Sequence, residues 1–286
     1  MPVCEVCFRH CDIPERGTGF CGVRTCKDGK IIPSNYGLVT AIMLDPIEKK
    51  PLHRFHPGSR VLSVGSYGCN LRCPFCQNYD ISWGELAECQ EKLAEEITPE
   101  ELAETALTYR NRGNIGVAFT YNEPLIGYEF VRDTAKLVHE KGMLNVLVSN
   151  GTAEIAVLEE ILPYIDAMNI DLKGFTDDYY SKLLNGNRKM VMDFIERAVK
   201  DCHVELTTLI IPGENDSEDE IREMSRWIAG LRNGSGETVG TEIPLHISRF
   251  FPRFHMTDRD ATEVKKIYRL AEAARSELKY VYTGNC

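Results

Sequence analysis

Cys69, Cys73 and Cys76 fall within eight residues, in Gly-Cys-Asn-Leu-Arg-Cys-Pro-Phe-Cys-Gln-Asn at 68–78. Three thiolates this close suit three irons of a cubane cluster, which ordinarily takes four cysteines. A missing fourth protein ligand leaves one iron open to a substrate or cofactor. Half of a zinc site is the plainer alternative, although zinc sites more often pair two separated Cys-x2-Cys units. No histidine or second cysteine pair follows closely here.

A second set opens the chain. Cys4, Cys7, Cys11 and Cys21 are spaced Cys-x2-Cys-x3-Cys-x9-Cys within 18 residues, with His10 and Cys26 as spare ligands. Four soft ligands among Gly17, Gly19 and Gly22 suit a tetrahedral structural zinc, and so short a segment has little core of its own without such a staple. A second Fe–S cluster and plain unligated cysteines are the other readings of the spacing. Because the two sets lie far apart in sequence, they are expected to act independently. Cys89 and Cys202 have no partners at metal spacing, and Cys286 is an isolated thiol.

These residues need a scaffold. From residue 60 onward, apolar strand-like runs alternate with helix-like segments. Strands are expected at 60–66, 114–120, 144–149, 167–172, 203–211, 242–248 and 279–283, and helices at 98–112, 127–141, 153–162, 189–201, 217–231 and 260–278. Thr98-Pro99-Glu100-Glu101 has the chemistry of a capped helix start, and Gly113 and Gly142 that of stops. Such alternation with apolar strands means parallel strands covered on both faces. Six strand–helix units fall short of an eightfold barrel. The expected fold is therefore α/β, an open (β/α)6 partial TIM barrel over 59–286, after a cysteine-rich module and lead-in at 1–58. A doubly wound open sheet has the same alternation, and the pattern leaves it open.

Polar residues gather where the expected strands end: Thr120-Tyr121-Asn122-Glu123-Pro124, Ser149-Asn150-Gly151, Asp171-Leu172-Lys173, Thr207-Thr208 with Ile211, and His246 with Arg249. In barrels the C-terminal strand ends carry the site.

With 286 residues, 43% of them hydrophobic, the chain can bury one large core. A net charge of −10 argues against a nucleic-acid backbone as the main partner. There is no run of about 18 apolar residues, so no membrane span is expected. The start, Met1-Pro2-Val3-Cys4, has no basic and apolar leader, so no signal peptide is expected. Eleven cysteines in metal-like spacings then point to a reducing cytoplasm. An exposed cubane predicts oxygen sensitivity.

The 68–78 segment resembles the signature of the radical S-adenosylmethionine (SAM) enzymes, with Phe75 at the aromatic position before the last cysteine. The resemblance implies a [4Fe–4S] cluster on Cys69, Cys73 and Cys76, with SAM chelated to the open iron. It also implies reductive cleavage of SAM to a 5′-deoxyadenosyl radical that abstracts hydrogen from a substrate, with electrons from a reductant such as flavodoxin or ferredoxin. The 120–124 stretch takes the place of the family's Gly-Gly-Glu, with Tyr121 and Asn122 where glycines stand and Glu123 at the acidic position. Ser149, Asn150, Asp171 and Lys173 match segments of pyruvate formate-lyase activating enzymes that bind the carboxylate and ribose of SAM. Ile210-Ile211-Pro212-Gly213 resembles the strand against which adenine packs in that family, which adds Ile211 to the candidates beside Thr208. His246 and Arg249 complete the ring of cofactor-binding candidates.

The chain is most similar in its motifs to the radical SAM enzyme of the AmmeMemoRadiSam system. The marks are Asp45-Pro46-Ile47-Glu48-Lys49-Lys50-Pro51-Leu52, Asp171-Leu172-Lys173-Gly174-Phe175, His246-Ile247-Ser248-Arg249-Phe250-Phe251-Pro252 and Tyr280-Val281-Tyr282-Thr283-Gly284-Asn285. That resemblance implies AMMECR1-like and Memo-like proteins as partners. Two other functions stay open at this point: a glycyl-radical enzyme activase, and a non-catalytic metal-binding scaffold for partner proteins. Two basic-aromatic stretches, 49–56 and 249–255, are read either as shaping substrate access or as solvated loops around the barrel rim, and 84–96 is an acidic helix former.

Overall fold

The computed structural model describes residues 1–83 and 93–286. Most of the acidic 84–96 stretch, with Cys89, lies outside them. A hairpin of β1 Arg24–Lys27 and β2 Lys30–Pro33 follows the N-terminal cysteines, then β3 Leu38–Val39, β4 Ala41–Pro46 and β5 Arg60–Gly65. A single turn, α1 Tyr79–Ser82, closes the three-cysteine loop, and β6 Glu95–Glu96 pairs with β3. Strands and helices then alternate: α2 Pro99–Thr108, β7 Asn114–Phe119, α3 Tyr128–Glu140, β8 Leu144–Ser149, α4 Ile155–Ile161, β9 Ala167–Asp171, α5 Arg188–Ala198, β10 His203–Ile210, α6 Glu218–Ala229, β11 Leu245–Arg249, α7 Val264–Arg275 and β12 Val281–Gly284.

Local chemistry accounts for these boundaries. Thr98 caps α2 in a reciprocal box with Glu101, and Pro99 sits in the first turn, where its missing N–H costs nothing. After α2 a short turn ends at Gly113, whose φ of +84° suits glycine.

The large sheet runs β4-β5-β7-β8-β9-β10-β11-β12. Pairings from β5 to β12 are parallel, and β4 is antiparallel on the edge. Spatial order follows chain order with no point where the winding reverses, which a doubly wound sheet requires. The fold is therefore a partial barrel, with β12 as a further parallel strand. β4, read from sequence as lead-in, belongs to the same sheet.

Alternate strand residues face the helices and the interior. On β10, Val204, Leu206 and Ile210 join the main core, while Glu205, Thr207 and Leu209 face inward. The stretch after β4 fills the N-terminal half of that interior. Ile47 and Leu52 pack with Val61, Ala118, Val146 and Ala167, and the Lys50 ammonium, 3% exposed, pairs with Asp45 at 2.9 Å. The 49–56 segment is thus a plug at the end of the barrel opposite the strand termini, contrary to the expected rim loop. The 249–255 segment does meet the cysteine loop: His255 N–H donates to Pro74 O, and Phe254 stacks on Tyr79 at 4.3 Å. Among the described residues no helix is long and apolar enough to cross a membrane.

Candidate functional site

The three-cysteine loop leaves β5 at its C-terminal end and is tied down at several points. Gly68 has φ +88°, and a Cβ there would stand 2.7 Å from Cys21 O, so only glycine fits. Asn122 acts as a staple. Its Oδ1 accepts from Ser66 N–H at 3.1 Å, and its Nδ2 donates to Tyr67 O and Gly68 O at 3.1 and 3.2 Å. Asn78, after the last cysteine, donates to Tyr121 O at 2.6 Å. Between these anchors Leu71 N–H donates to Cys69 Sγ, and Cys76 N–H to Cys73 O.

Cys69, Cys73 and Cys76 lie near enough to one another to raise each other's proton affinity. Burial is the larger cause and pushes Cys73 up to about 12. Buried neutral thiols ligate only when a metal displaces their protons. A metal taken up by these thiols would have to displace those protons, so uptake by the metal-free chain is expected to rise with pH, as measured across a reconstitution series. Uptake that is flat or falls with pH would contradict this.

Glu123 stands beside the loop, 3% exposed. Its Oε1 accepts from Ser149 Oγ at 2.8 Å and Leu125 N–H at 3.1 Å, and its Oε2 from Asn150 N–H at 2.8 Å. Burial outweighs these bonds and pushes the carboxyl up to about 7. Asn150 Nδ2 donates to Asn70 Oδ1 at 2.9 Å and lies 3.7 Å from Cys69 Sγ. On the other side Lys173 pairs with Asp171 at 2.7 Å, and both bear on Cys73. Burial opposes the Lys173 charge, but Asp171 outweighs it and holds the ammonium protonated. Phe75 is buried in the core beneath. Glu123, Ser149, Asn150, Asp171 and Lys173 thus converge around the cysteine loop.

The other sequence candidates do not join them. Tyr121 takes a glycine-like φ of +74°. Its side chain runs down into the barrel, where its OH donates to Asp45 at 2.8 Å and the Lys50 ammonium lies over its ring. Thr208 faces the helices and donates to Leu172 O at 2.7 Å. Ile211 is fully buried, with its N–H on Asn215. Arg249 turns to Thr262 O at 2.6 Å. His246 is the clearest correction: second in β11, it lies low in the interior, 2.7 Å from Glu205. Only position along the strand, invisible in the motif, separates it from the site.

The N-terminal set comes together as well. Cys4, Cys7, Cys11 and Cys21 line one enclosed cavity of about 10 Å³, with His10 and Arg9. Cys26 is turned away toward Glu15. This cavity adjoins the three-cysteine loop, since Cys69 N–H donates to Cys21 O at 3.3 Å. The independence expected of the two sets from sequence distance therefore does not carry over to space. Among the described residues no three His, Cys, Asp or Glu side chains stand closed for a single ion, so the four thiols would have to draw together on one. Sequence reasoning missed Asn70, Arg9 and Arg72. Their signal was position, within or beside the cysteine motifs.

The model for the radical SAM superfamily matches residues 63–227. An uncharacterized protein of Methanocaldococcus jannaschii is 39% identical over 284 residues, spanning 99% of this chain and 80% of that protein. The pyruvate formate-lyase-activating enzyme of Clostridium pasteurianum is 32% identical over 182 residues, 62% of this chain and 72% of its own. A radical SAM methyltransferase from Sphaerobacter thermophilus matches in structure with a TM-score of 0.59 at 18% identity, covering 80% of this chain and 67% of that one. At that identity the likeness is one of fold.

Proposed function

The chain belongs to the radical SAM superfamily and is a radical SAM enzyme, and on that premise we propose that Cys69, Cys73 and Cys76 hold its [4Fe–4S] cluster. The donor set fits the group: three thiols on one loop, Cys73 buried and Cys69 and Cys76 partly so, with a carboxylate and a lysine–aspartate pair around them. When bound, the cluster and SAM together supply reductive cleavage to methionine and a hydrogen-abstracting 5′-deoxyadenosyl radical.

The protein's own part is positioning. Glu123, held by Ser149 and Asn150, presents a buried carboxylate for a cationic amino group, while Lys173 offers a fixed positive charge. The convergence of Glu123 and its two partners on Cys69 is the observation that carries this reading. Reduced, reconstituted protein is expected to release 5′-deoxyadenosine from SAM. Persistent absence across several reductants would favour a non-catalytic scaffold instead. Glu123→Gln removes the charge but keeps the shape. It is expected to weaken SAM binding by about 30-fold, the order expected when one partner of a buried charged pair is lost. Unchanged SAM affinity, measured by the perturbation of the reduced-cluster EPR signal, would remove Glu123 from the site.

We place the enzyme in the AmmeMemoRadiSam system on its 45–52, 171–175, 246–252 and 280–285 motifs. It would then act with AMMECR1-like and Memo-like partners and draw electrons from a flavodoxin or ferredoxin. The likeness to pyruvate formate-lyase-activating enzymes favours a second reading, activation of a glycyl-radical enzyme. A glycyl-radical EPR doublet in a co-expressed partner would select it.

For the N-terminal four cysteines the reading is a single thiophilic ion of the zinc class rather than a second cluster. Four cysteines lining one cavity supply the number and kind of ligands that a closed tetrahedral site takes. Metal analysis of anaerobically purified protein is expected to find about four irons and about one zinc per chain. About eight irons would mean two cubanes.

A further inference from the structure

Resting on the reading that the N-terminal cysteines hold one ion, we infer that this ion positions the SAM end of the radical site through a continuous line of hydrogen bonds. The ion would then be a positioning element of the reaction as well as a staple for the N-terminus.

The line is short and fully named. Arg9 lies inside the turn between Cys7 and Cys11, so a metal holding those two thiols sets where Arg9 points. Its Nε donates to Asn70 O at 2.7 Å and its Nη2 to Asn185 O at 2.6 Å. Asn70 follows Cys69 directly, and its Oδ1 accepts from Asn150 Nδ2 at 2.9 Å. Asn150 in turn gives its backbone N–H to Glu123. From the turn of the four-cysteine set to the carboxylate proposed for SAM there are thus three side chains, each with its partner.

Three further contacts make the coupling stiff. Cys21 O accepts from Cys69 N–H at 3.3 Å, so a ligand of one set is bonded to a ligand of the other. Val6 O accepts from Glu154 N–H at 2.9 Å, and Cys7 bridges to Ala153, which joins the same turn to the segment just after Asn150. The guanidinium of Arg9 stacks on the Phe20 ring at 3.3 Å, and that of Arg72 on the same ring at 3.9 Å. Arg72 also donates to Cys69 O at 2.9 Å and to Phe20 O at 2.5 Å. Phe20 precedes Cys21, so this sandwich locks the last ligand of the N-terminal set to the first of the cluster loop. A zinc needed only to fold residues 1–26 would require none of these contacts.

Supporting residues around a metal site typically change affinity or activity by about 10- to 100-fold when removed. The test uses full-length, anaerobically reconstituted protein and two variants, Arg9→Ala and Cys7→Ser. Arg9→Ala leaves all ligands in place, so it should keep the wild-type zinc and iron content, with a modestly lower thermal midpoint from the contacts it loses. Its SAM dissociation constant, read from the EPR change of the reduced cluster, should rise about 10-fold. Cys7→Ser should lose the zinc and weaken SAM at least as much, while its iron content stays that of one cluster. SAM affinity within about twofold of wild type in Arg9→Ala, with the cluster intact, would overturn the coupling, and Arg9→Ala folds without depending on the fate of Cys7→Ser. Wild-type protein with no metal beyond the cluster irons would instead overturn the underlying single-ion reading, whatever the variants show.

Discussion

Cys73→Ala is expected to abolish 5′-deoxyadenosine release. Cys73 is 9% exposed, sits in the middle of the loop, and feels Cys76, Lys173 and Asp171 directly. Two thiolates cannot replace three. The loss should therefore exceed the roughly 100-fold seen when residues that merely support a metal ligand are removed. Iron content should fall with it. Cys202→Ala serves as the control, because that thiol donates to His203 O at 3.4 Å, far along the chain from both cysteine sets. A full cubane and undiminished SAM cleavage in Cys73→Ala would refute the ligand assignment outright.

Glu205→Ala is expected to cost a large share of the protein's stability. Glu205 is fully buried and accepts four hydrogen bonds: from His203 and His246 rings at 3.0 and 2.7 Å, and from the backbone N–H groups of His53 and Arg54 at 2.9 and 2.7 Å. The last two tie the plug segment to β10. His246 also stacks on Tyr282, with ring centres 5.2 Å apart. Removing the carboxylate orphans all four donors, and breaking a buried charged network of this kind costs about 3–5 kcal/mol. The shift in the denaturation midpoint measures it.

The same group carries a pH signature. Burial raises the Glu205 carboxyl, but the four hydrogen bonds outweigh burial and hold it near about 2, against 4.5 ordinarily. A carboxylate depressed on folding stabilises above its unfolded value and loses that contribution as pH falls toward the folded one, here about 3 kcal/mol in all. The stability gap between wild type and Glu205→Gln should therefore narrow between about pH 4.5 and 2. A gap that widens on acidification would show that the network is not held by the ionised form.

Much of the site was legible without coordinates because its chemistry is local. Cys69, Cys73 and Cys76 sit in one loop, so their spacing alone brings three thiols together. Glu123, Ser149, Asn150, Asp171 and Lys173 each follow an apolar run, and parallel strands must end on one side of the sheet. The strand–helix alternation likewise follows from hydrophobic period and from glycine and proline punctuation. What the residues could not disclose was parity and height. In a parallel sheet buried on both faces, neighbouring positions are equally apolar, so nothing in Thr207-Thr208 says that Thr208 turns to the helices. Nothing in the 246–252 motif says that His246 lies at the level of Glu205 rather than of Glu123.

Strand order and long-range adjacency were also matters of tertiary structure. Chain order equal to spatial order separates the partial barrel from the doubly wound sheet, and both share one hydrophobic pattern. The packing of Cys21 against Cys69 joins residues 48 positions apart through a backbone hydrogen bond. Such a contact uses groups that every residue carries. It therefore leaves no mark on side-chain composition, and folding alone brings the two separate cysteine motifs side by side.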